Sequence, residues 1–387
     1  MNAPFKPEFA RQPTGTGAAG GLVARGISKT FQAEVLTHVS VDVAPGELLA
    51  LTGPSGAGKT TLCRILAGLE TTEVGSVMLG GVDLTPLPAG RRHVAFMFES
   101  YALYPHLSVR ENALSPLLAL GTGGPADGNR RVNEMLELLE ISHLADRLPG
   151  ALSGGQKQRV ALARTLVQTP SLFLLDEPIS HLDAKLRHKL RGEIRRRLSA
   201  QPAPVIWATP DGMEALSVGD RVAVIADGKI EQTGTPEEVW LRPASVQVAR
   251  LLGDPPINLL PGKLQSDGGA LYFQCRSSRL ALPDGLARTA ASLDAAEVVL
   301  GVRPEAMRLA AADAPAVVPA EIYSCEPFGK HTIVTVDLGG LLLKLKTPAQ
   351  DAIRVGDRIG QMIGLSFSPD GLMLFDAATG RALPEPD

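Results

Sequence analysis

The segment GPSGAGKT at residues 53–60 constrains this chain more than any other, because it follows directly on an apolar, strand-like run at 47–52. The spacing G-x-x-x-x-G-K-[ST] is met at every fixed position and reads as a phosphate-binding loop set between a strand and a helix. Gly53, Gly56 and Gly58 let the backbone curl until its N–H groups face a phosphate chain, with Pro54, Ser55 and Ala57 between them and Thr61 at the exit. Lys59 places a point charge near the β- and γ-phosphates, and the Thr60 hydroxyl is a ligand for Mg²⁺. Alone, this loop specifies only the binding of a nucleoside triphosphate.

Two further segments narrow the chemistry. In LFLLDEP, at 172–178, an apolar strand delivers two carboxylates at its C-terminal end, where ligands of open α/β sheets bind. Asp176 fits the carboxylate that holds Mg²⁺, and Glu177 the group that polarises the attacking water. In LSGGQ, at 152–156, Ser153, Gly154, Gly155 and Gln156 open a helix whose free N–H groups form an anion site. One nucleotide does not need two such sites in one chain.

The organisation agrees. Residues 22–50 alternate apolar and polar around VLTHVSVDV and read as antiparallel strands, and a helix is expected from Thr60 to Leu69. Short strands follow at 75–84 and 93–97, and residues from about 100 to 168 are mostly helical in pattern, most clearly at 130–141. Buried parallel strands are expected at 172–175, 205–209 and 222–226. After about residue 258, short strands separated by Gly, Pro and Asp predict an all-β domain of barrel type. The expected division is a flexible leader at 1–21, an α/β nucleotide-binding domain at 22–255 and a β domain at 259–387.

Composition removes several classes. A content of 44% hydrophobic and 20% charged residues in 387 is that of a globular protein, and a net charge of −3 leaves no footprint for nucleic acid. The basic run within 186–198 reads as the solvated face of a helix. Cys63, Cys275 and Cys325 are too scattered for a disulfide framework or a metal cluster. No run of about 18 apolar residues exists, so a role at a membrane requires partner subunits.

With LSGGQ beside the phosphate loop and LLDEP, the chain resembles the nucleotide-binding subunits of ABC transporters, and the resemblance covers almost everything after residue 22. It implies an ATPase with ATP and Mg²⁺ as cofactors. It also implies two subunits paired head to tail, the LSGGQ of one closing over ATP held by the other. Phe31 matches the aromatic that stacks on adenine, a simple core Phe being the competing reading, and SHLD at 180–183 matches the loop in which Asp183 faces nucleotide, with His181 where Asn or Ala is usual. ESYALYPHLSVREN at 99–112 resembles the segment of sugar importers that faces the permease, and its apolar and aromatic cluster at 101–107 would otherwise be unexplained surface. VLGVRPE at 299–305 and GLMLFDAATGRAL at 371–383 resemble the OB-like regulatory (TOBE) domain of maltose-importer-type ATPases. The implied partners are two transmembrane permease subunits, a second ATPase subunit and an extracytoplasmic solute-binding protein, on the cytoplasmic face of the cell membrane. DPPIN at 254–258 is similar to glycerol-type importers, among which some systems use two unlike ATPases.

Two positions depart from that pattern, both at the chemical site. Glu99 stands where the family has Gln; it still offers an oxygen to Mg²⁺, but it brings negative charge and no donor. WATPDGMEAL, at 207–216, places Pro210 where the family has a histidine touching the γ-phosphate, and proline has neither a side-chain donor nor an N–H. The expectation is a site that binds ATP and hydrolyses it poorly, beside an intact LSGGQ that serves a second ATPase, so a heterodimer is favoured over a homodimer. The competing classes are a soluble ABC ATPase without transport and a regulator switched by ATP.

Overall fold

The computed structural model describes residues 20–121, 125–268, 270–276, 278–290, 297–314, 317–352 and 355–383. The expected leader therefore lies almost wholly outside the described residues.

Three short runs in which every residue is buried build the centre of the N-terminal half: β3 (Leu48–Thr52), β7 (Leu172–Asp176) and β8 (Val205–Thr209). Strands apolar on both faces must be covered on both faces, which is the requirement of a parallel sheet. With β6 (Val94–Met97), β9 (Arg221–Ala226) and β10 (Lys229–Gly234) they form a six-stranded sheet of order β10-β9-β3-β8-β7-β6, parallel except for β10. Because side chains alternate, Leu48 and Ala50 face one core and Leu49 and Leu51 the other.

The second core is closed by α1 (Lys59–Ala67) and by an antiparallel sheet of order β2-β1-β4-β5, made from β1 (Leu22–Thr30), β2 (Glu34–Val43), β4 (Val74–Leu79) and β5 (Val82–Asp83). The first core runs into three helices, α2 (Val109–Leu120), α3 (Pro125–Leu138) and α4 (Gly154–Leu166), through Val109, Ala113, Val132, Met135 and Val160. Helical structure thus starts later than the pattern after residue 100 suggested. Tyr101 and Ala102 have positive φ (65° and 45°), so the chain turns there before Ser108 caps α2. Helix α1 also stops short of Leu69, because Gly68 takes a left-handed φ of 76° and caps it.

Three more helices, α5 (Ala184–Ser199), α6 (Gly212–Val218) and α7 (Pro236–Leu241), cover the sheet, and α8 (Val246–Leu251) leads out of it. The C-terminal part is two five-stranded antiparallel sheets around one shared core that includes Leu264, Phe273, Leu300, Val334 and Leu365. Its expected strands all form: 297–301 lies in the strand Glu297–Val302, 332–338 and 341–345 largely in His331–Asp337 and Leu342–Pro348, and 373–375 in Leu372–Asp376. The two halves are fastened by Arg303. Its guanidinium donates to the carbonyls of Trp240 (2.8 Å), Ala249 (3.2 Å) and Leu252, and lies 3.9 Å over the Trp240 ring. Burial pulls the Arg303 pKa down to about 10.

Candidate nucleotide site

Strand register assembles the site. Thr52 pairs with Thr209, Ala208 with Asp176 and Leu175 with Met97, so the residues that leave β3, β8, β7 and β6 stand in one row along the C-terminal sheet edge. That row holds Gly53, Pro210, Glu177 and Phe98, the last followed by Glu99. A ligand crevice belongs at this edge in an open α/β sheet.

At Gly53 and Gly58 the loop at 53–60 has no room for a side chain, whereas Gly56 has space but a left-handed φ of 81°. A Cβ on Gly53 would lie 1.9 Å from the Ile225 carbonyl oxygen, and Gly58, at φ 103°, would set one 2.5 Å from Leu36 Cδ2. Lys59 donates to the carbonyls of Gly53 (2.7 Å) and Pro54 (2.9 Å), which holds the ammonium inside the curl of the loop. Burial lowers the Lys59 pKa, and Glu177, Asp176, Cys63 and Glu99 offset this in part.

Beside the loop lies an open cavity of about 250 Å³ lined by Thr60, Arg64, Phe96, Phe98, Glu99, Ser100, Asp176 and His181. Both Asp176 carboxylate oxygens are buried without a hydrogen-bond partner of ordinary geometry. Burial pushes the Asp176 pKa up to about 6; the nearby Thr60 hydroxyl lowers it, Glu99 and Glu177 raise it and Lys59 lowers it again. A buried carboxylate with open lone pairs, a threonine hydroxyl and a second carboxylate suit Mg²⁺, which takes one or two carboxylates and keeps waters and phosphate oxygens for the rest. The residues present fit that ion.

Glu177 has a left-handed backbone (φ 51°), and its N–H is tied to the Ala208 carbonyl at 2.9 Å. Its own carbonyl accepts from Gln158 Nε2 (2.9 Å) and Ser180 Oγ (3.2 Å). The strain re-aims the chain directly after Asp176 and is held from two sides. Gln158 also accepts from the His181 N–H at 3.1 Å. This buried glutamine was not read from the sequence, where it falls within an ordinary amphipathic helix.

Among the described residues, the remaining predicted positions sit apart from the cavity. Ser153 caps α4, accepting from the Gln156 N–H (3.3 Å) while Gln156 Oε1 accepts from the Ser153 N–H (2.9 Å), with Gly154 and Gly155 in the first turn. Asp183 caps α5 by accepting from the Leu186 N–H at 3.0 Å. Phe31 is 54% exposed with Lys29 Nζ 5.0 Å from its ring, so it is a surface aromatic rather than a core one.

Pro210 lies between two fixed points. The Asp211 N–H donates to Thr209 Oγ1 (3.1 Å), and the Asp211 side chain caps α6. Arg64, Phe96, Phe98, Ser100 and His181 complete the cavity wall without having been predicted, although an unusual residue at 181 was visible in SHLD.

Comparison with known proteins agrees with this geometry. The family described as ABC transporter matches residues 36–180, the MalK OB fold domain 253–307 and the TOBE domain 300–375. The sn-glycerol-3-phosphate import ATP-binding protein UgpC 1 of Rhizobium johnstonii is 40% identical over 363 residues, 94% of this chain and 96% of that protein. The chain belongs to the ABC transporter ATP-binding proteins.

This ABC ATPase is also 40% identical to the xylose/arabinose import ATP-binding protein XacK of Haloferax volcanii, over 89% of each chain. It is 36% identical to the sulfoquinovosyl glycerol transport ATP-binding protein SmoE of Agrobacterium fabrum, over 93% of this chain and 98% of that one. Among solved structures, the dimeric bacterial ABC transporter cassette MJ0796 superposes with a TM-score of 0.52 at 28% identity, covering 56% of this chain and 98% of its own. As an ABC ATPase the chain binds ATP.

Proposed function

We propose that the chain is the ATP-binding subunit of an importer for a carbohydrate or polyol, and that its own site hydrolyses ATP slowly. The substrates named for its relatives, sn-glycerol-3-phosphate, the pentoses and sulfoquinovosyl glycerol, support that class. Among the described residues no helix is long and apolar enough to cross a membrane, so passage of the solute falls to two partner permeases. Tyr104 is 48% exposed, Leu148 is also exposed, and the Arg164 guanidinium lies 5.7 Å from the Tyr104 ring; this surface suits a permease contact. The subunit then works at the cytoplasmic face of the membrane, and an extracytoplasmic binding protein delivers the solute.

In this reading the loop at 53–61 cradles the phosphates, and Phe31 stacks on the base. Thr60, Asp176 and Glu99 would hold Mg²⁺, which would neutralise negative charge on the phosphates. Glu177 orients the attacking water. Ser153, Gly154, Gly155, Gln156 and Asp183 serve the nucleotide of a second, unlike ATPase subunit.

One observation carries the weak-site reading: Pro210 stands in the row of residues leaving the sheet, between Gly53 and Glu177. Removing one preorganised donor from a transition-state phosphate costs roughly 10²–10³ in rate, or about 3–4 kcal/mol. Steady-state ATPase of the purified chain tests it. Pro210→His is expected to raise turnover by about that factor. A native turnover on the order of 1 s⁻¹ that Pro210→His leaves unchanged would overturn it.

A further inference from the structure

His181 belongs to none of the roles above, yet it lines the same cavity as Thr60, Glu99 and Asp176. Its ring is held on one side only. Nδ1 lies 3.0 Å from the Tyr101 hydroxyl and 3.0 Å from Ser180 Oγ, and the Tyr101 ring meets it edge-on, with centroids 6.1 Å apart. Both anchors are themselves fixed. The carbonyls of Tyr101 and Ala102 accept from Arg164 at 2.7 and 2.8 Å, and Ser180 Oγ is within reach of Gln158 Nε2 and the Glu177 carbonyl. Burial and the nearby Glu99 raise the Tyr101 pKa, so its hydroxyl keeps its proton. Among the described residues no group bonds the other ring nitrogen, Nε2.

The phosphate loop brings the end of the triphosphate toward this cavity, because Lys59 and Thr60 serve the β- and γ-phosphates. Two carboxylates, Glu99 and Asp176, line the space together with Arg64 and Ser100, and Pro210 adds no donor to it. An imidazole nitrogen supplies part of what position 210 lacks, since it donates a hydrogen bond from a ring already oriented through its other nitrogen.

We propose that His181 is a catalytic residue of this ATPase, its Nε2–H bonding an oxygen of the terminal phosphate in the place of the donor that position 210 lacks. It rests on the reading that the chain's own site hydrolyses ATP. Water oxygen bonds to the γ-phosphorus and gives its proton to the Glu177 carboxylate, the bond from phosphorus to the β–γ bridging oxygen breaks with its electron pair staying on ADP, and ADP and phosphate leave. His181 forms no covalent bond; it stabilises charge on the phosphate as the transfer proceeds.

The test is single-turnover hydrolysis of Mg-ATP by the purified full-length chain, with affinity for a fluorescent ATP analogue measured in parallel. His181→Ala is expected to slow hydrolysis at least tenfold and to leave analogue affinity within twofold. His181→Gln, which keeps an N–H, is expected to recover most of that loss. In the Pro210→His background, the same His181→Ala change is expected to cost less than threefold.

A His181→Ala rate within twofold of native overturns the proposal. So does a Gln variant no faster than the Ala variant, or a native rate no higher than that of Glu177→Gln. Where Pro210→His raises the rate, equal losses in the two backgrounds overturn it as well. Where Pro210→His does not raise the rate, the weak-site reading fails, and the Ala and Gln rates alone decide the role of His181.

Discussion

The indole of Trp207 donates to Glu214 Oε1 at 2.7 Å, both residues being buried, and this bond ties the middle of β8 to α6 across the loop that carries Pro210. With Thr209 and Asp211 bonded inside it, the loop keeps its course whatever side chain stands at 210. In the proposed reading, proline at that position withholds a donor and leaves the scaffold in place.

Glu214→Ala should therefore destabilise the protein by about 1–3 kcal/mol, because it strands the Trp207 N–H in a dry core. Glu214→Gln should cost less than about 1 kcal/mol, since its side-chain oxygen still accepts. Urea denaturation decides: equal losses for the two variants would show that the indole bond contributes nothing.

Asp176 makes stability depend on pH in a definite direction. Its folded pKa of about 6 lies above the ordinary 3.8, so burial penalises the ionised form. The penalty is absent well below pH 4, accumulates as the pH rises through the interval to 6 and is complete above it, at most about 3 kcal/mol. Asp176→Asn should stabilise the nucleotide-free chain by about 3 kcal/mol at pH 8 and only about 1 kcal/mol at pH 4.5. Mg²⁺-dependent nucleotide binding by the native chain should weaken as the pH falls through 6, and the variant should lose that dependence. Equal stabilisation at the two pH values, read by denaturation, would exclude the burial penalty.

Arg303 joins the two halves through carbonyls that, among the described residues, have no other donor shown. Arg303→Ala should cost at least about 2 kcal/mol, and Arg303→Lys nearly as much, because an ammonium cannot reproduce the planar fork or its stacking on Trp240. Limited proteolysis is expected to cleave between α8 and residue 258 in either variant. Resistance equal to that of the native chain would argue that the strands alone hold the halves together.

Much of this was legible in the residues. The phosphate loop, the strand ending in Asp176 and the Ser-Gly-Gly helix start each depend on bonds within a few residues, so spacing reveals them. The reading of residues after 100 as helical overshot at Tyr101 and Ala102, where a positive φ forms through contacts with Arg164, 63 and 62 positions on. Gln158 was opaque for the same reason, and His181 showed only as an unusual residue of SHLD, its partners hidden. Each acts through partners supplied by another element, and neither periodicity nor motif spacing records which face of a helix or loop meets them. Only the fold brings Glu99 to Asp176, because that meeting depends on the β6–β7 register.

The packing of Gly155 has a mechanical consequence. A Cβ there would lie 3.1 Å from the His181 carbonyl oxygen, and Gln158, one turn along α4, grips Glu177, Ser180 and His181. The start of α4 and the loop after Glu177 are thus tied to each other directly. In the proposed reading, a displacement at Asp176 and Glu177 would carry the Ser153 surface with it. The subunit would in this sense act as a rocker, its nucleotide edge and its Ser153 face moving together.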